Sequence, residues 1–161
     1  MKIGVVSDTH DNTRNVRDIV DLFNRNRVDH VIHTGDITKA STLEIFRELE
    51  APLSGVFGNN DTELDQLAAV ASRLGFDFGK PPLNLEIHGR RIVVVHDPRE
   101  LTDSTTRGSA IALHGHTHML RIEQRELLTI FNPGECAGHM KGLNAVGLVD
   151  LNSLQPSLLK F

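Results

Sequence analysis

The sequence contains no tryptophan, no tyrosine and only one cysteine, Cys136, in 161 residues. A single cysteine excludes an intrachain disulfide and any zinc or iron–sulfur site built from several thiolates. No run of about 18 uncharged apolar residues is present to span a bilayer, and the formal net charge of −4 disfavours a nucleic-acid binder. The start, MKIGVVSDTH, reaches Ser7, Asp8 and His10 too early for a signal peptide, so we expect a cytoplasmic protein.

The order of apolar patterns predicts an α/β architecture. Runs rich in valine and isoleucine first alternate with segments of helical period, and after Gly75 they follow one another as β-hairpins. No linker divides the chain, so we expect one domain over residues 1–161. The hairpins are expected to turn near His88, Gly89 and Arg90 and near Gln124 and Arg125. Strands are predicted at 2–7, 29–33, 52–57, 84–95 and 119–131 (the two hairpins), 144–151 and 155–161, and helices at 13–26, 40–50 and 63–73.

Side chains able to bind a metal follow each of the first three strands and two later apolar segments. In α/β sheets ligands bind beyond the carboxyl ends of the strands, so these side chains are expected to meet in one crevice. Asp61 also follows the third strand but is outside the set. The seven candidates are two aspartates, one asparagine and four histidines: Asp8, His10, Asp36, Asn59, His96, His116 and His118.

Seven ligands of this kind are too many for one tetrahedral ion. They suit two divalent ions about 3.5–4 Å apart that share a carboxylate, as in two-metal hydrolytic sites. Asp36, next to Gly35, is the natural bridge, and Asn59 offers an amide oxygen without adding negative charge. Oxygen and imidazole donors favour borderline metals, so we expect Mn²⁺, with Fe, Zn, Ni and Co as alternatives.

Each candidate has a plainer interpretation when it is taken alone. Asp8 and Asp36 would suit helix caps or turns, and His96 would suit an ordinary strand end. The joint pattern favours the metal site over these alternatives. Four other histidines have no part in the pattern and are expected to serve the fold or the surface: His30, His33, His88 and His139.

Six short motifs follow in order: SDTH at 7–10, GDI at 35–37, GNND at 58–61, VVVHD at 93–97, GHTH at 115–118 and NPG at 132–134. Together they resemble the calcineurin-like metallophosphoesterases, and most of all the small bacterial and archaeal phosphodiesterases. The resemblance implies a two-sheet β-sandwich flanked by helices, in four αββα layers. It also implies a metal-dependent phosphodiesterase that cleaves a P–O ester bond of a small substrate with a metal-bridging hydroxide.

The resemblance also assigns the ligands to two positions. The first ion would be held by Asp8, His10, Asp36 and His118, and the second by Asp36, Asn59, His96 and His116. Asp36 and Asn59 would thus belong to the catalytic centre, together with the residue at position 60 near the leaving group.

The chain departs from the family pattern at two places. Many of the family's phosphatases have GNHD, but here the third residue is Asn60, which cannot donate a proton as an acid. This change predicts a preference for good leaving groups and for diesters over monoesters. The strand ending in His96 continues DPRE, which places Asp97 and Arg99 at the rim of the substrate pocket.

The segment LHGHTHML holds three histidines at alternate positions. His116 and His118 are expected to reach different ions, because Gly115 would let the backbone turn out of the strand through a positive φ. His114 is expected to be a strand-end residue outside the ligand set.

Two other functions are compatible with the same motifs. A retromer subunit with this fold serves as a protein-binding scaffold, so a catalytically weak interaction module is the main alternative. Nucleases of double-strand-break repair share the motifs but are longer, whereas this chain is compact and acidic, so nucleic acid is disfavoured. The oligomeric state stays open.

Overall fold

The computed structural model describes all residues from 1 to 161 and contains eleven strands and four α-helices. The strands are β1 (Lys2–Val6), β2 (His30–His33), β3 (Leu53–Val56), β4 (Asp77–Gly79), β5 (Leu83–Ile87), β6 (Arg90–Val94), β7 (Ile111–Leu113), β8 (Arg121–Arg125), β9 (Leu128–Asn132), β10 (Ala145–Asp150) and β11 (Gln155–Lys160). The helices are α1 (Thr13–Arg25), α2 (Ala40–Ile45), α3 (Leu64–Leu74) and α4 (Asp103–Thr106), with 3₁₀ turns at Phe46–Glu48 and Pro98–Glu100. No helix combines the length and the apolar composition that crossing a membrane requires.

The strands form two mixed sheets. The first has the order β11-β10-β1-β2-β3-β4, in which β1 to β4 are parallel and β10 is antiparallel to β1. The second has the order β5-β6-β7-β9-β8, in which β6, β7 and β9 are parallel. Each sheet therefore contributes several carboxyl ends to one edge of the molecule.

Side chains on the two faces of the first sheet pack into different layers. On β1, Ile3 and Val5 face the second sheet, while Val6 belongs to the cluster that packs against the helices. Helix α1 presents to that cluster the four residues expected from its sequence: Val16, Ile19, Val20 and Phe23. Gly4 lets the helix approach, because a Cβ there would lie 2.6 Å from the Phe23 ring.

The outer face of the second sheet carries a smaller cluster. Val93, Val95, Ala112 and Ile130 are buried there, and Leu101, at the end of a 3₁₀ turn, packs against them. Helices α1 to α3 cover the outer face of the first sheet, so the layers are helices, first sheet, second sheet and short helical turns. The predicted four-layer sandwich is confirmed.

Most predicted elements are present, with several shifts. The hairpin at His88–Gly89 is confirmed, and both turn residues have positive φ (52° and 68°). The second hairpin turns at Glu126–Leu127 rather than at Gln124–Arg125, because the register pairs Arg125 with Leu128.

Other differences concern short elements. The helix predicted over 40–50 ends at Ile45 and continues as a 3₁₀ turn, since Leu49 is already extended (ψ 134°) on the way to β3. Strand β4 and helix α4 have only three and four residues, which is too short to leave a periodic signal.

Candidate metal centre

All seven predicted ligands lie on loops that follow parallel strands. Backbone hydrogen bonds join these loops: the Asp8 N–H donates to the Gly35 carbonyl (3.0 Å), and the Gly115 N–H donates to the His96 carbonyl (3.0 Å). The ligands follow β1 (Asp8, His10), β2 (Asp36), β3 (Asn59), β6 (His96) and β7 (His116, His118).

The backbone at the site is strained. Left-handed φ angles are unfavourable for residues with a Cβ and mark positions that the surrounding structure must enforce. Five of the seven predicted ligands adopt them: Asp8 (53°), His10 (46°), Asp36 (59°), His116 (69°) and His118 (54°).

Gly115 has a different role from the expected one. The expectation that it supplies a positive φ is wrong, because the left-handed residues are His116 and His118. A Cβ at Gly115 would collide with the Ser7 hydroxyl oxygen and lie 2.6 Å from Asp8 Oδ2. The glycine is needed because two loops pass each other closely at this point.

One group of donors surrounds Asp8 and His10. Carboxylate and imidazole atoms of Asp8, His10 and Asp36 lie within 4.8 Å of one another. His118 Nε2 is 3.3 Å from His10 Nε2 and 3.7 Å from Asp8 Oδ1. Donors about 2.1 Å from one ion, at angles of roughly 90° to 110°, lie about 3.0–3.4 Å apart, so the histidine pair has the spacing of ligands to a shared cation.

A second group of donors surrounds His96. Its Nε2 lies 2.9 Å from Asn59 Oδ1 and 3.3 Å from Asp36 Oδ2, and His116 Nδ1 lies 2.9 Å from the same Asn59 oxygen. These distances also match the spacing of ligands around one ion. Asp36 belongs to both groups, and the hard oxygen and borderline nitrogen donors fit a pair of divalent cations.

Asn60 contacts the shared carboxylate. Its backbone N–H donates to Asp36 Oδ1 (2.8 Å) and its side-chain Nδ2 donates to Oδ2 (2.7 Å). Both oxygens of Asp36 are thereby oriented by one residue. The predicted place of Asn60 near a leaving group stays a prediction.

His114 and His33 lie outside the donor groups. His114 Nδ1 donates to the Gly115 carbonyl, and its Nε2 is 3.4 Å from the Arg121 guanidinium. His33 is fully buried and accepts the Gly35 N–H at Nδ1, so that its Nε2 donates to the Thr9 hydroxyl. Both rings fix neighbouring loops.

Two residues of the cluster were missed by sequence reasoning. Glu135 is 2% exposed and accepts a hydrogen bond from His118 Nδ1 and another from the His139 N–H (2.8 Å). The His139 ring lies 5.2 Å from that of His10 and 5.4 Å from that of His118. Both residues reach the cluster because β9 runs parallel to β7 and ends at the same edge, a pairing that the hairpin pattern of β8 and β9 does not indicate.

An open pocket of about 780 Å³ adjoins the second donor group. Its lining includes Asn59, His96 and His116, with Asp97 and Arg99 at the rim, as expected for these two. Arg99 forms an ion pair with Asp97 (2.5 Å), and the Asp97 carboxylate is 3.9 Å from His116 Nε2. The pocket therefore opens beside the donors of the second group.

Asp36 and His96 form the main charge pair of the site. Burial acts against the charged form of each, but the hydrogen bonds from His96 and Asn60 outweigh it and hold the pKa of Asp36 below its ordinary range. Burial likewise acts to lower the pKa of His96, but the hydrogen bond and charge of Asp36 raise it to about 9. Without metal, His96 is therefore an imidazolium at neutral pH.

The metal-free protein is expected to lose stability as the pH rises from about 7 to 9.5. Because the folded pKa of His96 is above its unfolded value of about 6.5, its contribution is complete below pH 6.5 and is lost as the pH passes about 9. The loss is on the order of 3 kcal/mol. Urea unfolding of the metal-free protein across this range measures it, and His96→Gln should flatten the profile; an unchanged slope in that variant would contradict the assignment.

Comparisons with known proteins agree with the motifs. Residues 1–154 match the model of the calcineurin-like phosphoesterase superfamily domain. The phosphodiesterase MJ0936 of Methanocaldococcus jannaschii is 30% identical over 158 residues, which cover 93% of each chain. A solved archaeal phosphodiesterase has a TM-score of 0.91 at 28% identity over 100% of both chains. Zinc-bound Vps29 from Entamoeba histolytica shares the fold, with a TM-score of 0.67 at 21% identity over 98% of this chain and 90% of its own.

The chain belongs to the calcineurin-like phosphoesterase superfamily, as its motifs indicated. It is a metal-dependent hydrolase that acts on phosphate esters.

Proposed function

We propose that this protein is a phosphodiesterase that works with two divalent cations bound at the two donor groups. The observation that carries the proposal is the position of Asp36, which lies within 4.8 Å of the donors of Asp8 and His10 and also 3.3 Å from His96. One carboxylate can thus bridge both groups. The first ion is assigned to Asp8, His10, Asp36 and His118, and the second to Asp36, Asn59, His96 and His116.

Neighbouring residues of the protein orient the atoms that would bind the two cations. When bound, two such cations neutralise phosphate charge and lower the pKa of a water toward neutrality, which supplies a hydroxide nucleophile. Glu135 accepts a hydrogen bond from the Nδ1–H of His118. The Nε2 atom of His118 therefore carries the lone pair, which is directed at the position of the first ion. Asn60 holds the Asp36 carboxylate with two N–H groups. Mn²⁺ is the ion proposed to support activity, with Fe, Zn, Ni and Co as alternatives.

The charges around the pocket favour a diester over a monoester. Arg99 is the one arginine or lysine of the lining, and it is already paired with Asp97; Glu100 adds a further negative charge. A monoester dianion carries two negative charges and would be repelled by this acidic rim more strongly than a diester, which carries one. Asn60 also leaves position 60 without a proton donor, which limits poor leaving groups.

With Mn²⁺, we expect kcat/KM for bis-p-nitrophenyl phosphate to exceed that for p-nitrophenyl phosphate by about tenfold or more. Asn60→His introduces an ionisable group at position 60. It should reduce the difference in kcat/KM between p-nitrophenyl diesters and alkyl diesters. Hydrolysis of alkyl monoesters as fast as that of diesters would refute the substrate class. Binding of two ions without turnover of any ester would instead support the scaffold alternative.

A further inference from the structure

A third imidazole lies beside the first donor group. One ring nitrogen each of His10, His118 and His139 lies within 4.8 Å of the other two, although His139 comes from the loop after β9, which supplies none of the predicted ligands. The hydrogen bonds of the structure engage only the backbone of His139, so both ring nitrogens are free. The side chain is exposed at the mouth of the cluster.

Glu135 connects this loop to the predicted ligands. Its Oε2 accepts a hydrogen bond from the Nδ1–H of His118, and its Oε1 accepts one from the backbone N–H of His139 (2.8 Å). The same carboxylate therefore sets the tautomer of one imidazole and the position of the other. Because Glu135 is 2% exposed and is fixed by these two bonds, the arrangement does not depend on a surface contact.

The surroundings of His10 also indicate a cation. With the His118 proton on Nδ1, the Nε2 atom of His118 presents a lone pair to His10 Nε2 at 3.3 Å. A cation between the rings would satisfy both nitrogens at once, and one ring nitrogen of His139 lies within 4.8 Å of the ligand atoms of both rings. A nitrogen-rich position of this kind favours Co²⁺, Ni²⁺ or Zn²⁺ over Mn²⁺.

We propose that His139 is an additional ligand of the first ion and that Glu135 is the positioning residue that places it there with His118. The proposal rests on the two-ion function above and refines its metal preference: the first position, with three imidazoles, selects a borderline, nitrogen-binding ion, while the second, with two imidazoles, accepts Mn²⁺. The two positions are thus chemically different.

The test titrates the metal-free full-length protein with Co²⁺ and follows both affinity and the visible absorption of the bound ion. The parent is expected to bind two Co²⁺ ions per chain. His139→Ala and His139→Gln should weaken one of them by about tenfold or more and change its spectrum, with a smaller effect on Mn²⁺ binding. His88→Ala, at an exposed histidine in a hairpin turn, is the matched control and should behave like the parent.

Glu135→Gln tests the positioning role separately. A glutamine has one amide oxygen and one NH₂ group, so either the His118 Nδ1–H or the His139 N–H would face an NH₂ group and lose its acceptor. We expect the same ion to be weakened by about 10- to 100-fold. Urea unfolding of each metal-free variant reports whether the fold is kept.

The outcomes separate the two proposals. If the parent binds fewer than two Co²⁺ ions, the two-ion function itself fails. If the parent binds two ions and both His139 variants bind them with unchanged affinity and spectrum, His139 is not a ligand and only the present inference is overturned. Loss of one ion in the His139 variants with an unaltered Glu135→Gln protein would remove Glu135 from the proposal.

Discussion

Asp36→Asn is expected to lower kcat for bis-p-nitrophenyl phosphate by about 10³-fold or more, because the shared charge of the site is lost. Asp36 is 2% exposed, and its carboxylate faces His96 at 3.3 Å and the donors of Asp8 and His10. An amide at this position removes the negative charge and one of two oxygen ligands, so neither ion keeps its bridging partner. Charge stabilisation by metal ions is worth several kcal/mol, and about 4 kcal/mol corresponds to 10³-fold.

The measurement combines steady-state hydrolysis with the number of Mn²⁺ ions bound per chain. Asp65→Asn, the same chemical change on the exposed face of α3, is the control and should keep full activity and both ions. If Asp36→Asn retains parental activity, the two-metal hypothesis is wrong.

The second large effect is expected at Asp61, which holds the loops after β2 and β3 together. Its Oδ2 accepts the N–H groups of Asp36 (3.0 Å) and Gly58 (2.7 Å), and its Oδ1 accepts those of Ile37 (2.8 Å) and Thr38 (2.6 Å). Asp61 is 3% exposed, so water does not replace a missing acceptor. Asp61→Asn leaves two of the four donors facing an NH₂ group whichever way the amide turns.

An unpaired buried donor costs about 1–3 kcal/mol, so Asp61→Asn should lower the free energy of unfolding by about 3 kcal/mol. Because either Asp36 or the two residues after it lose an acceptor, the loop that carries Asp36 is displaced, and kcat should also fall, by about 10²-fold. Urea denaturation and steady-state kinetics measure the two effects, and Asp77→Asn, at an exposed position of the edge strand β4, provides the control. A change in stability below 1 kcal/mol would mean that the loops are held by other contacts.

The sequence was sufficient for those parts of the site whose position follows from local pattern. Asp8, Asp36 and His96 each come just after an apolar run, so recognising parallel strands also located their carboxyl ends. The bounds of α1 and its buried face were predictable for the same reason, since four apolar residues recur at helical spacing.

Other parts depend on contacts between distant segments and left no local signal. Glu135 and His139 reach the site because β9 pairs in parallel with β7, whereas the hairpin pattern indicates only its antiparallel pairing with β8. The role of Asp61 is equally non-local: its four donors come from two loops that meet only after the sheet has formed. Gly115 was identified, but its function is to give room to Ser7 and Asp8 from the other sheet.

The left-handed backbone of the predicted ligands has a consequence for how stability is distributed in this protein. Each such residue costs on the order of 1 kcal/mol or more relative to relaxed backbone, and all five lie on one edge, beyond the strand ends. The packing of the two sheets must therefore contribute enough free energy of folding to offset this cost. Selection for catalysis and selection for stability act against each other at this edge, whereas His88, Glu126 and Leu154, which also have left-handed φ, lie in turns at the opposite edge where no predicted ligand has to be held.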